Sequence, residues 1–359
     1  MGFFRRDGDR DRERAASLAR IEAGGIPPLA AERLRTLSTE GTLFTSGLSV
    51  NEFALLGRLG PQPLAQVMGA SVIRTGWQYL PALQPGNVVI AGNWYAPTNT
   101  GQALKNRLTE ASWSQVRNYQ WHAPVVCELD TLTDAWNLAR RRALDRLVEE
   151  ALQVAADAVV GVHVRRSDRD LGRGTIEYVV TGTAIRHPDS TGTPWPLLTD
   201  VSVQDYWRLR SAGHEPVGLM AASAVVFASA ARDTRLSRAR TMHRNQELSE
   251  LSRGFHDARE IVRARLLGQV SDARADGTVG VDLSHSVHRE KFSLASAISS
   301  AAHRGWNRGR LGLPYYVRGR AGAERRGWVI TMHAAGTAIR HSLEPVDPPV
   351  KTSIRLGGR

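Results

Sequence analysis

The chain has 359 residues, room for two or three domains of ordinary size, with 42% apolar and 23% charged residues. That balance excludes a disordered chain, and no apolar run approaches the length of a membrane-spanning helix. The formal net charge of +12 is carried almost wholly by arginine, since Lys105, Lys291 and Lys351 are the only lysines, and on its own it argues only weakly for nucleic acid.

At the N-terminus, Phe3 and Phe4 run straight into Arg5, Arg6, Asp7, Asp9, Arg10 and Asp11, which leaves no apolar signal core and predicts a cytoplasmic location. Residues 1–40 read as a mobile charged helix or arm. Ser49 with Glu52 three residues on is a helix-capping pair, and Gly60 sits where a left-handed C-cap belongs, so a short helix of about ten residues is expected. Leu64 to Ile73 follows a proline and reads as a strand. Trp77, Tyr79, Trp94, Tyr95, Trp113, Tyr119 and Trp121 crowd the next stretch, as the lining of a ligand pocket, as an anchor for a partner, or as that segment's own small core. Cys127, the only cysteine, excludes an intramolecular disulfide and every metal site needing two thiolates from one chain.

Leu129, Leu132, Trp136, Ala139, Ala143 and Leu147 recur at three and four residues, the stripe of a long amphipathic helix. Cys127 lies just ahead of it, where a helix dipole favours the thiolate, but no base stands at a defined spacing and a structural thiol is the simpler reading. Val160, Val162 and Val164 then alternate as a half-buried strand, and Ile176 to Ile185 as another.

The same pattern then recurs. Gly182 to His187 and Gly336 to His341 are the same hexapeptide, Gly-Thr-Ala-Ile-Arg-His. Ala156 to Val162 matches Ala275 to Val281 at a spacing of 119, as do Glu128-Leu129 with Glu247-Leu248, Trp136 with Phe255, and Ala139-Arg140 with Ala258-Arg259. Upstream the spacing is 153: Ser49-Val50 matches Ser202-Val203, Glu52 Asp205, Gly60 Gly213, and Pro63 Pro216. The second half therefore predicts a short helix from Ser202, a strand over Val217 to Ala228, a long helix striped by Leu248, Leu251, Phe255, Ala258, Val262 and Leu266, and a strand over Thr278 to Leu283. The shifts in spacing mark two insertions, an aromatic one near 73–127 and a basic one near 284–326.

Each copy thus reads as a β-α-β-α-β-β unit: α+β, a mostly antiparallel sheet covered by one long amphipathic helix, repeated in tandem. The units span 41–190 and 191–343, and 344–359 is a proline-bearing tail. One open sheet face and open edges call for a partner, within the chain or between chains.

Phe44-Thr45-Ser46-Gly47, Val67-Met68-Gly69, the amphipathic helix, Ala156 to Val162 and Thr181 to Ile185 resemble the YbjQ-like family, a dodecin/YbjQ-like fold whose members carry a heavy-metal-binding label. The resemblance covers the core of both copies, more clearly the first. It implies a ring-shaped homo-oligomer in which short extra strands join neighbours, and a divalent transition metal as the cofactor.

Three constellations could carry chemistry. His285 and His288, just beyond the expected strand, with Asp282 nearby, could supply two imidazoles and a carboxylate to zinc, copper or nickel; the alternative is solvated strand-end histidines. His187 and His341 close the two hexapeptides and read as exposed strand ends against a neighbour. Arg308, Arg310, Arg318 and Arg320, interleaved with Trp306, Tyr315 and Tyr316, suit nucleic acid or another anionic partner as well as a solvated or membrane-surface loop. No phosphate-binding glycine loop, nucleophile elbow or His-Glu-x-x-His run is present, so no catalytic constellation is found. The expected function is a non-enzymatic, oligomer-forming binding or scaffold protein, with heavy-metal binding and anion binding through 284–326 as alternatives.

Overall fold

The computed structural model describes residues 3–37, 45–75, 125–167, 174–188, 190–229, 245, 247–293 and 324–341. In chain order these form α1 (Phe3–Glu22), α2 (Pro28–Leu37), α3 (Val50–Leu59), β1 (Gln62–Arg74), β2 (Val125–Glu128), α4 (Asp130–Gln153), β3 (Ala158–Ser167), β4 (Thr175–Arg186), β5 (Leu197–Leu198), α5 (Val203–Ser211), β6 (His214–Ser229), α6 (Ser249–Asp272), β7 (Gly277–Ser293) and β8 (Glu324–His341). The architecture is mixed α+β with two four-stranded sheets, ordered β1-β4-β3-β5 and β2-β6-β8-β7. The aromatic cluster from Trp77 to Trp121, Arg308, Arg310, Arg318, Arg320 and the tail 344–359 lie outside the described residues.

Local chemistry sets the element ends. The Ser49 hydroxyl accepts from the Glu52 N–H at 3.3 Å while the Glu52 carboxylate accepts from the Ser49 N–H at 2.8 Å, a reciprocal capping box that starts α3. The Ser202 hydroxyl accepts likewise from the Asp205 N–H at 3.1 Å and starts α5. Gly60 (φ 98°) and Gly213 (φ 79°) end these two helices in backbone that side chains resist.

Each long helix covers one sheet. Ala139, Ala143 and Leu147 of α4 are buried with Ala65 and Val67 of β1, and Ala258 and Val262 of α6 with Ala222, Ala224 and Ile330. At Gly69 the α4 backbone comes so close that a Cβ would sit 1.8 Å from the Ala143 carbonyl oxygen. Each helix also satisfies backbone groups that the sheet leaves open, on β1 in the first half and on β6 in the second. In the first half the Met68 N–H donates to Glu150 at 2.8 Å and Arg146 donates to the Ala70 carbonyl; in the second the Ala221 N–H donates to Gln269 at 3.2 Å and Arg265 to the Ser223 carbonyl at 3.0 Å.

The structure departs from the sequence reading at three places. Each sheet takes a strand from the other half: β5 joins the first sheet from beyond residue 190, and β2, ahead of α4, joins the second. The strand expected over Thr278 to Leu283 runs on to Ser293, paired with β8 as far as Glu324, so the basic insertion begins and ends as a long β-ribbon. The N-terminal segment docks instead of standing free from about Arg20 onward: Ile26 and Leu34 are buried in the core, and the Ile26 N–H donates to Glu149 at 2.9 Å.

Candidate functional site

The features that single out this molecule lie on the seam where the two halves exchange strands. The β3–β4 register jumps between Val160 and His163, with Gly161 at φ 58°. This bulge turns two N–H groups of β3 outward, and the segment leading into α5 takes them. Val162 donates to the Thr199 carbonyl at 3.0 Å and Gly161 to the Val201 carbonyl at 3.1 Å, while Thr199 donates back to Val159 at 3.0 Å. Strand β5 thus runs parallel to β3, with Leu198 beside Val159.

The other side of that segment holds to the second sheet. The Thr337 hydroxyl donates to Asp200 at 2.5 Å and accepts from the Asp200 N–H at 3.2 Å, and the Thr199 hydroxyl lies 2.8 Å from it. A hydroxyl has one proton, so Thr199 must be the donor of that last bond. Burial pushes the Asp200 carboxyl above its ordinary range, as does nearby Asp282; the Thr337 bond and His163 act against the shift. Glu52 reaches across to the Val203 N–H at 3.4 Å, tying α3 to α5. Burial acts to raise its carboxyl, but the bonds from Ser49 and Val203 outweigh that and hold it low.

A second contact covers the free stretch of β6. The Val225 N–H donates to the Thr133 hydroxyl at 2.9 Å, and that hydroxyl donates to Glu128 at 2.9 Å. Arg265 closes the group with a 2.7 Å ion pair to Glu128. Behind it, His333 is buried, with Nδ1 2.8 Å from the Ser223 hydroxyl and its ring edge-on to Trp136 at 4.6 Å between centroids. Burial, reinforced by Arg166 and Arg140, lowers its pKa to about 3, so the ring is neutral.

The expected metal ligands do not converge. All three fall within β7, where alternation puts His285 on the face opposite Asp282 and His288. The His285 ring packs edge-on against Phe255 at 5.1 Å, Asp282 pairs with Arg166 at 3.5 Å, and His288 lies 4.0 Å from Glu290. Among the described residues no group of three His, Cys, Asp or Glu side chains could hold a metal. His341 lies edge-on to His214 at 5.4 Å, and Cys127 is in β2, partly buried against the core. Sequence reasoning used Glu128, Thr337 and Arg265 only as repeat markers or not at all. The signal that could have found them is the pairing of Glu128 with Glu247 and of Thr183 with Thr337 in the repeat.

Among the described residues no helix is long and apolar enough to cross a membrane. The chain is 28% identical over 285 residues, 77% of its length and 91% of the relative's, to a protein of Mycobacterium tuberculosis (strain H37Rv) named an encapsulin nanocompartment protein. No solved structure matches it. Residues 122–187 match the YbjQ family, described as "Putative heavy-metal-binding". The stretch that supplies β2, α4, β3 and β4 to the seam is therefore a YbjQ-like domain.

Proposed function

We propose that this chain is a non-enzymatic scaffold protein built from two tandem YbjQ-like units, 41–190 and 191–343, whose cores assemble a closed homo-oligomer. The units' unequal insertions, 73–127 and 284–326, then carry whatever that assembly presents or binds. The observation that carries this reading is an asymmetry of edges. Strand β3 is covered by β5, whereas among the described residues β7, 17 residues long, is the last strand of its sheet with Val281, Leu283 and Val287 exposed along it. A long edge with apolar side chains is a pairing surface that a lone chain would be expected to blunt. The relative's name, that of a nanocompartment protein, agrees with assembly as the activity.

Native mass spectrometry of untagged protein, before and after a chelator, tests it. The expected result is one dominant multiple of the chain mass, unchanged by the chelator. A single-chain mass at micromolar concentration overturns the scaffold reading, and a stoichiometric mass removed by the chelator overturns it in favour of heavy-metal binding.

A further inference from the structure

We infer that the space between the two sheets, beside α4, is a binding site for a small phosphoryl-type oxyanion, held by the guanidinium groups of Arg140 and Arg166 and by the Tyr178 hydroxyl. This goes beyond the scaffold reading and does not depend on assembly.

The strand register brings the site together. Ser71 of β1 lies beside Tyr178 of β4, and Tyr178 beside Arg166 of β3, so the three form one row across the first sheet. Alternation puts that row on the face that α4 covers, where Val67, Val180 and Val162 of the same strands are buried. Arg140, on α4, acts on the Tyr178 hydroxyl and also donates to the Ala221 carbonyl of β6, in the second sheet. Arg166 spans the same gap, meeting Asp282 of β7 at 3.5 Å. Both arginines act on the buried His333 ring of β8.

The second half shows that the fold does not require this row. At the repeat spacings Ser71, Tyr178 and Arg166 correspond to Ala224, Met332 and His285, which form the equivalent row across the second sheet. There Ala224 and Met332 are buried apolar side chains, His285 packs on Phe255, and Arg259, the counterpart of Arg140, is exposed. One half fills the position with core. The other fills it with a serine, a phenol and two arginines, although removing a guanidinium from water is unfavourable unless it is paired.

That positive charge is not balanced locally. Among the described residues Arg140 pairs with no carboxylate: burial lowers its pKa, Arg141 and Arg265 add to the effect, and Tyr178 opposes it. Arg265 has its own partner in Glu128. The Arg166 side chain is 11% exposed, whereas Asp282, the carboxylate it meets, is 68% exposed and marks where the site opens to solvent. His333 relieves none of this, being neutral. Burial raises the Tyr178 hydroxyl pKa, with Arg166 and Arg140 acting against the shift, so the phenol keeps its proton at neutral pH and can donate it. Two guanidinium forks and a hydroxyl with surplus positive charge match an anion with several oxygens and two charges better than a carboxylate.

Isothermal titration of the whole chain with inorganic phosphate, in a phosphate-free buffer at constant ionic strength, tests the site. Saturable binding of one phosphate per chain is expected, with acetate binding more weakly. Tyr178→Phe keeps the packing and removes the hydroxyl; it is expected to weaken phosphate by about tenfold, the effect of one hydrogen bond to a charged group. Arg166→Gln is expected to abolish binding. Asp282→Asn, which frees Arg166, is expected to tighten it, a gain that a merely structural role would not produce. Arg308→Gln, Arg310→Gln, Arg318→Gln and Arg320→Gln together are expected to leave it unchanged. Glycerol phosphate that binds as well as phosphate assigns the site to a phosphate ester, and its exclusion assigns the site to the free ion. The inference is overturned by an absence of saturable binding, or by binding that survives both Tyr178→Phe and Arg166→Gln in chains with native circular dichroism spectra. Binding lost in the four-arginine variant, or acetate bound as tightly as phosphate, also overturns it. A native oligomer without phosphate affinity overturns the site and leaves the scaffold reading standing.

Discussion

His333 and Glu150 are both buried ionisable groups, and burial shifts them in opposite senses. His333 has its pKa lowered to about 3, so between that value and the ordinary imidazole range near 6.5 the unfolded chain binds a proton that the folded chain refuses. Its contribution is fully present above about 6.5 and is lost as pH falls, at a rate approaching 1.4 kcal/mol per pH unit in the middle of that window. Urea unfolding midpoints measured from pH 7 to 4.5 are expected to fall more steeply for the native chain than for His333→Gln. Glu150 has its carboxyl raised by burial, with the Met68 N–H bond as the main opposing influence. The second half uses Gln269 for the same task, accepting from the Ala221 N–H and donating to its carbonyl at 2.9 Å. Glu150→Gln is therefore expected to raise the melting temperature at pH 7, because it keeps the acceptor and removes a buried charge. That gain shrinks as pH falls and the glutamate takes up its proton.

At the scale of elements, the two halves solve one packing problem with different clearances. Gly69 lets α4 lie almost on the backbone of β1, whereas its counterpart in β6 is Ala222, a buried residue with a Cβ of its own. Gly69→Ala is expected to destabilise the protein by about 1–3 kcal/mol, read as a lower denaturation midpoint, because the Cβ meets backbone atoms of Ala143 and Leu147 that only a shift of the whole helix can move. These elements were legible beforehand for a physical reason. Capping serines, C-terminal glycines and the three-four stripe act within a few residues of themselves, so α3, α4, α5 and α6 could be read locally. The extent of β7 was not legible: beyond Leu283 the residues Ser284, His285, Ser286 and His288 carry no apolar alternation, and pairing with β8 alone makes them strand.

For the whole molecule, the consequential fact is that neither sheet is completed by its own half. The first is extended by β5 and the second by β2, and among the described residues no strand lies beyond β7. Assembly of the kind proposed above is what the native-mass measurement addresses. Assembly between chains, as proposed, predicts that the stability of that interface depends on chain concentration while the in-chain seam does not.

The sequence by itself determined helices α3 to α6, the main strands beside them and the capping serines that start α3 and α5, because each rests on short-range periodicity or local hydrogen bonding; the strand expected ahead of α3 is not among the described strands, and β2 was not expected. It also determined that Asp282, His285 and His288 are neighbours along the chain. Only the tertiary structure decided that β7 carries them as a strand, so that His285 faces Phe255 and turns away from the other two. Strand exchange, the burial of His333 and the Glu128–Arg265 pair were likewise decided there. Each depends on which distant edge a segment meets, and hydrogen-bonding partners far apart along the chain leave no local pattern to read.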